Sequence, residues 1–111
     1  MTAVRVLEYL DRSGRSPWRR WFNDLDAHAA AKVGTALYRL GQGNFSNVEG
    51  VGSGVFEAKI DFGPGYRIYF GKDGETVVIL LGGSTKKRQR AAINAAHKAW
   101  TDYKQRKRGA A

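Results

Sequence analysis

The stretch Gly54–Gly71, GVFEAKIDFGPGYRIYFG, constrains the fold more than any other part of this chain. Phe56, Ala58 and Ile60 alternate with Glu57, Lys59 and Asp61, and after Gly63-Pro64-Gly65 the residues Tyr66, Ile68 and Phe70 alternate with Arg67 and Tyr69. Successive side chains of a strand point to opposite faces, so each run has one apolar and one polar face. The Pro64 ring fixes φ and the flanking glycines accept backbone angles closed to other residues, which predicts a hairpin. Its outer face is expected to show Glu57, Lys59, Arg67 and Tyr69 close together.

The remaining elements follow from periodicity and caps. Thr2–Leu10 reads as a strand, and Asp11-Arg12-Ser13-Gly14 as a turn. Ser16-Pro17 has the form of an N-cap followed by Pro at the first helical position, where its missing N–H costs nothing. Trp18, Trp21, Phe22 and Leu25 recur at helical spacing and form a buried stripe. Asp26 caps a second helix to about Gln42, with Val33, Leu37 and Leu40 inward. Gly41–Gly54, with five glycines, reads as a loop. Lys72-Asp73-Gly74 is a reverse turn, and Thr76–Leu81 is apolar on both faces, which places it inside the sheet, covered on each side or partly reserved for a partner. Gly82-Gly83-Ser84 ends it. The last helix runs from Thr85 to about Lys107, with Ala92, Ile93, Ala96, Ala99, Trp100 and Tyr103 as its apolar stripe. Strand, helix, helix, three strands and a helix make a small α+β domain with a mostly antiparallel sheet, two N-terminal helices on one face and a C-terminal helix. At 111 residues the expectation is a single domain over 1–111, with about 106–111 a disordered basic tail.

Charge points to a partner. The chain carries 19 Lys and Arg against 10 Asp and Glu. Nine of the basic residues and one acid, Asp102, fall between Lys86 and Ala111, so the excess sits in the last quarter of the chain. Lys86, Lys87, Arg88 and Arg90 crowd the first turns of the last helix, where the helix dipole disfavours cations. Local stability does not account for that placement, whereas a bound polyanion does: nucleic acid first, an acidic protein second, a membrane surface third. No cysteine is present, which excludes disulfides and thiolate metal sites and reads as a reducing cytoplasm. No apolar run is long enough to cross a bilayer, and the N-terminus does not have the form of a signal peptide. His28 and His97 lack metal-ligand spacing and a third ligand, so no metal or cofactor is expected.

The hairpin segment FGPGYRIYF, the stretches LYRLGQGNFSNVEGVGSGVFEAKI and LLGGSTKKRQ, and the order of elements resemble the RelE/ParE superfamily of bacterial toxins. The resemblance is nearest to the addiction-module killer branch related to phage-type and HigB-like toxins. It implies a toxin silenced by a cognate antitoxin, usually of helix-turn-helix type, in a hetero-oligomer. RelE-like members cut mRNA on the ribosome and ParE-like members poison DNA gyrase, and fold does not decide between them. A degenerate toxin that only binds its antitoxin is the third alternative. Two positions depart from the branch: Lys59 stands where Arg is common, and Ala92 where many relatives carry Asp.

Cutting RNA without a metal requires deprotonation of the 2′-hydroxyl, stabilisation of the phosphorane and protonation of the 5′-oxygen. On the implied site the catalytic candidates are Arg67, a permanent cation that grips phosphate through two N–H groups, Lys59 and Lys86 as proton carriers, Glu57, and Tyr69. For Glu57, holding Lys59 or Arg67 in place is favoured over acting as base. Lys87, Arg88, Arg90, Gln89 and Tyr66 are the nucleic-acid-binding candidates, Tyr66 as a stacking platform. From the residues alone, the same face also reads as a solvated sheet surface with ordinary cross-strand ion pairs.

Overall fold

The computed structural model describes residues 3–109. Its elements are β1 (Arg5–Glu8), α1 (Pro17–Asn23), α2 (Ala27–Gly41), β2 (Val48–Gly50), β3 (Val55–Ile60), β4 (Tyr66–Lys72), β5 (Val77–Thr85) and α3 (Gln89–Gly109), with one 3₁₀ turn, Lys86–Arg88, between β5 and α3. The strands form one sheet in the order β1-β5-β4-β3-β2. All neighbours are antiparallel except β1, which runs parallel to β5. This is the expected α+β architecture.

Local chemistry sets the helix starts as the sequence predicts. Ser16 accepts from the Arg19 N–H with Pro17 at the first helical position, and Asp26 accepts from the Ala29 N–H, each satisfying a donor the helix cannot pair. The hairpin closes through Gly63 and Gly65, both at positive φ. Four sequence expectations change. The first strand shrinks to Arg5–Glu8, and Thr2 lies outside the described residues. The glycine-rich loop contains a short edge strand, β2, that pairs with Phe56–Ala58. β5 continues through Gly82-Gly83-Ser84 to Thr85. Arg106–Arg108, expected in the tail, are helical within α3, while Ala110 and Ala111 lie outside the described residues.

The sheet is covered on both sides, and strand alternation divides the core in two. Ala58, Ile60, Tyr66, Ile68, Phe70, Val78 and Leu80 face Trp18, Val33 and Leu40 of the two N-terminal helices. Val55, Tyr69, Ile79 and Leu81 face Ala96, Ala99 and Trp100 of α3. Thr76–Leu81 is apolar on both sides because its inner residues contribute to both cores. The outer face of the hairpin, read from alternation as open, is therefore roofed at its apolar end by α3. At its other end, where β4 and β5 reach the hairpin turn, the polar residues of the same face gather.

Candidate functional site

Strand register assembles the site. Lys59 lies opposite Arg67 and Glu57 opposite Tyr69 on the β3–β4 pair, and Arg67 lies opposite Ser84 on the β4–β5 pair. The start of α3 covers this corner, so that Glu57 is 1% exposed, Tyr69 0%, Ser84 5% and Arg67 9%. The expectation that all four hairpin residues lie open is corrected: only Lys59 is exposed.

The buried groups form one network centred on a single carboxylate oxygen. Glu57 Oε1 accepts from Gln89 Nε2 at 2.6 Å and from the Tyr69 hydroxyl at 3.4 Å. It also faces Arg67 Nε at 3.5 Å. The Tyr69 hydroxyl shares a 3.1 Å hydrogen bond with Ser84 Oγ. Arg67 Nη1 donates to the Tyr66 carbonyl at 3.1 Å, while Nε is buried without a hydrogen-bond partner. Burial pushes the Tyr69 phenol up to about 12, so it stays protonated at neutral pH and serves as donor. Removing one member of a buried ion pair strands the other charge in low dielectric. Glu57 therefore ties the guanidinium of β4 to the first turn of α3 through Gln89. It holds other groups in place and is shielded from any ligand.

The exposed cations meet this network at the hairpin turn. The Lys86 N–H donates to the Gly65 carbonyl at 2.9 Å. A Cβ placed on Gly65 would lie 3.4 Å from Lys86 Cβ and 3.7 Å from Arg67 Nη1, so both cationic side chains flank the same glycine. Lys86, Lys87, Arg88 and Arg90 are exposed, and among the described residues none of them has a carboxylate within salt-bridge distance. Thr85 makes no side-chain cap and the first turn carries no acid. The positive end of the dipole and the cations are left to reinforce one another.

Three more candidates are displaced. Tyr66 is 8% exposed and sits on the opposite face of the sheet, its ring 6.3 Å from that of Trp21, so it cannot stack on a base. Lys59 Nζ is drawn to Glu49 of β2 at 2.9 Å, a partner that a loop over Gly41–Gly54 does not provide. Gln89, expected at the ligand surface, is engaged by Glu57. His97 Nε2 is 3.0 Å from the Val51 carbonyl and His28 is exposed on α2. Among the described residues no group of His, Cys, Asp and Glu gathers for a metal. Sequence reasoning missed Ser84 as a site member. The doubly apolar Thr76–Leu81 run carried the signal, since a strand covered on both faces requires α3 over the hairpin.

What remains reachable is the edge of Arg67 with Lys86 beside Gly65, followed along the chain by the exposed Lys87, Arg88 and Arg90. Guanidinium and ammonium groups so placed are chemically suited to phosphate oxygens. Residues 20–104 match the family model described as "Phage derived protein Gp49-like". A Haemophilus influenzae protein described only as an uncharacterized protein is 39% identical over 77 residues, which is 68% of this chain and 78% of that one.

Proposed function

The chain belongs to the Gp49-like family of phage-derived proteins, and on that premise we propose that it is the toxin of a type II toxin–antitoxin module that cuts mRNA on the ribosome. The family is consistent with a phage-derived toxin of such a module. The observation that carries the RNA reading is the cluster Lys86, Lys87, Arg88 and Arg90, held without counter-charge among the described residues beside the buried guanidinium of Arg67.

In this reading the 2′-oxygen attacks the adjacent phosphorus and the bond to the 5′-oxygen breaks. Arg67 and Lys86 neutralise the phosphorane, where charge develops. Among the described residues the site presents no histidine and no open carboxylate, so Lys86 and Lys87 are our assignment for proton transfer at the 2′- and 5′-oxygens. Glu57, Gln89, Tyr69 and Ser84 set the position of Arg67 from below. The cognate antitoxin, of helix-turn-helix type in our proposal, silences the site by covering the cations with an acidic segment. One observation favours a second reading. With only 9% of Arg67 exposed and Ala92 in place of the branch's Asp, the chain also suits a degenerate toxin that binds its antitoxin without catalysis.

Brief induction in a bacterial host, with transcript ends mapped by primer extension, separates the readings. We expect growth arrest with new mRNA ends in frame with codons, and loss of both in Lys86→Ala/Lys87→Ala. Intact transcripts with trapped gyrase complexes indicate a ParE-like poison. Undisturbed growth indicates the degenerate form.

A further inference from the structure

β5 outruns its neighbour. β1 pairs with Val77–Leu80 and ends at Glu8, so beyond Leu80 the edge of β5 that faces away from β4 has no strand beside it among the described residues. The Lys86 N–H bonds to Gly65, and the alternation of antiparallel pairs then turns the backbone groups of Gly83 and Thr85 toward that open edge. A cleft of about 380 Å³ lies there, between Trp21 of α1 on one side and Arg88, Ala91 and Ala92 on the other. Trp21 can lie across the strand only because residue 83 is glycine: a Cβ there would fall 2.2 Å from the indole ring.

We infer that this cleft is a nucleobase slot, which receives the base of a nucleotide whose phosphate is held at Arg67 and Lys86. The inference rests on the RNA-binding reading above and adds the subsite. Its walls suit a base: an indole on one side, a guanidinium and small alanine side chains on the other, and strand-edge amides and carbonyls at the floor to meet the polar edge of the ring. Charge selects the occupant. Arg88 lines the cleft, and Lys86, Lys87 and Arg90, within two residues of it in the chain, have no carboxylate partner among the described residues. Ala92, where the resembling branch has Asp, keeps the slot free of negative charge.

Trp21 is half-buried, whereas Trp18 and Trp100 are 1% and 6% exposed, so ligand-induced change in tryptophan emission reports this cleft. The purified chain is titrated with a short oligoribonucleotide and with tripolyphosphate, a polyanion without a base, and binding is followed independently by calorimetry. We expect both to bind and only the oligoribonucleotide to quench. In Ala92→Leu, and in Ala91→Met at an exposed position that leaves the core untouched, oligoribonucleotide affinity falls about tenfold, as for one lost stacked base. Tripolyphosphate affinity stays within about twofold. If the oligoribonucleotide binds without quenching and the filled clefts bind it as well as the unaltered chain, the slot is refuted and the phosphate reading stands. If neither polyanion binds, both fall. A peptide that quenches where RNA does not makes the edge a protein-docking strand and overturns the slot.

Discussion

The two ends of α3 carry similar charge and use it differently. At the C-terminal end, Arg106 lies 2.8 Å from Asp102 and Lys107 pairs with Asp73. Tyr9 and Tyr103 donate to those same two carboxylates at 2.6 and 2.7 Å. Here the helix dipole also favours cations. At the N-terminal end, Lys86, Lys87, Arg88 and Arg90 sit where the dipole opposes them, without an acid in the first turn. The first arrangement is explained by the fold it holds together. The second is unexplained by the isolated chain, and an anion from outside is our proposal for it. A count of basic residues does not distinguish these roles, and the positions of two aspartates do.

Breaking the anchor beneath the N-terminal end has the largest expected effect on stability. Glu57→Gln strands the Arg67 guanidinium in a buried corner and lowers unfolding free energy by about 3 kcal/mol in urea titration. Amide exchange should accelerate around residues 86–92 while the C-terminal end stays protected. At that other end, Tyr103→Phe removes the hydrogen bond to Asp73 and costs about 1 kcal/mol by the same measurement, with the basic cluster's affinity for polyanions unchanged.

Acid sharpens the contrast further. Hydrogen bonds from Lys107 and Tyr103 hold the Asp73 carboxyl below its ordinary value of 3.8, and that from Tyr9, with Arg106 and Arg12 nearby, does the same for Asp102. A group whose folded pKa is depressed stabilises fully above its unfolded value and loses that contribution as pH falls through the folded one. Hydrogen exchange below that value should therefore loosen the C-terminal turns of α3 first. The smallest effect is at the cations themselves. Lys86→Ala/Lys87→Ala relieves like-charge repulsion and an opposed dipole, so thermal stability should hold or rise by a few tenths of a kcal/mol.

Much of this was legible in the chain. The Ser16 and Asp26 caps, the hairpin at Gly63-Pro64-Gly65, the cross-strand pairing of Lys59 with Arg67 and the α3 stripe through Ala96 and Trp100 all follow from local chemistry and period. What alternation does not encode is which faces are roofed. Glu57 and Tyr69 read as solvent-facing because they alternate with apolar residues, yet α3 crosses above them, and only long-range docking decides that. Tyr66 read as available for stacking, though its own parity placed it with the inner core. Ser84 was obscure because its partner Tyr69 lies on another strand 15 residues away, the engagement of Gln89 because Glu57 lies 32 residues away, and β2 because three residues among glycines give no period.

The central claim is that the uncompensated cations at the start of α3 grip a nucleic-acid backbone. The direct measurement is the salt dependence of oligoribonucleotide binding for the unaltered chain and for Lys86→Ala/Lys87→Ala/Arg88→Ala. With roughly 0.7 counterions released per single-strand phosphate contact, the variant's slope of log affinity against log salt should be about 2 units shallower, with thermal stability unchanged. An equal slope in the two proteins, with the variant folded, would contradict it.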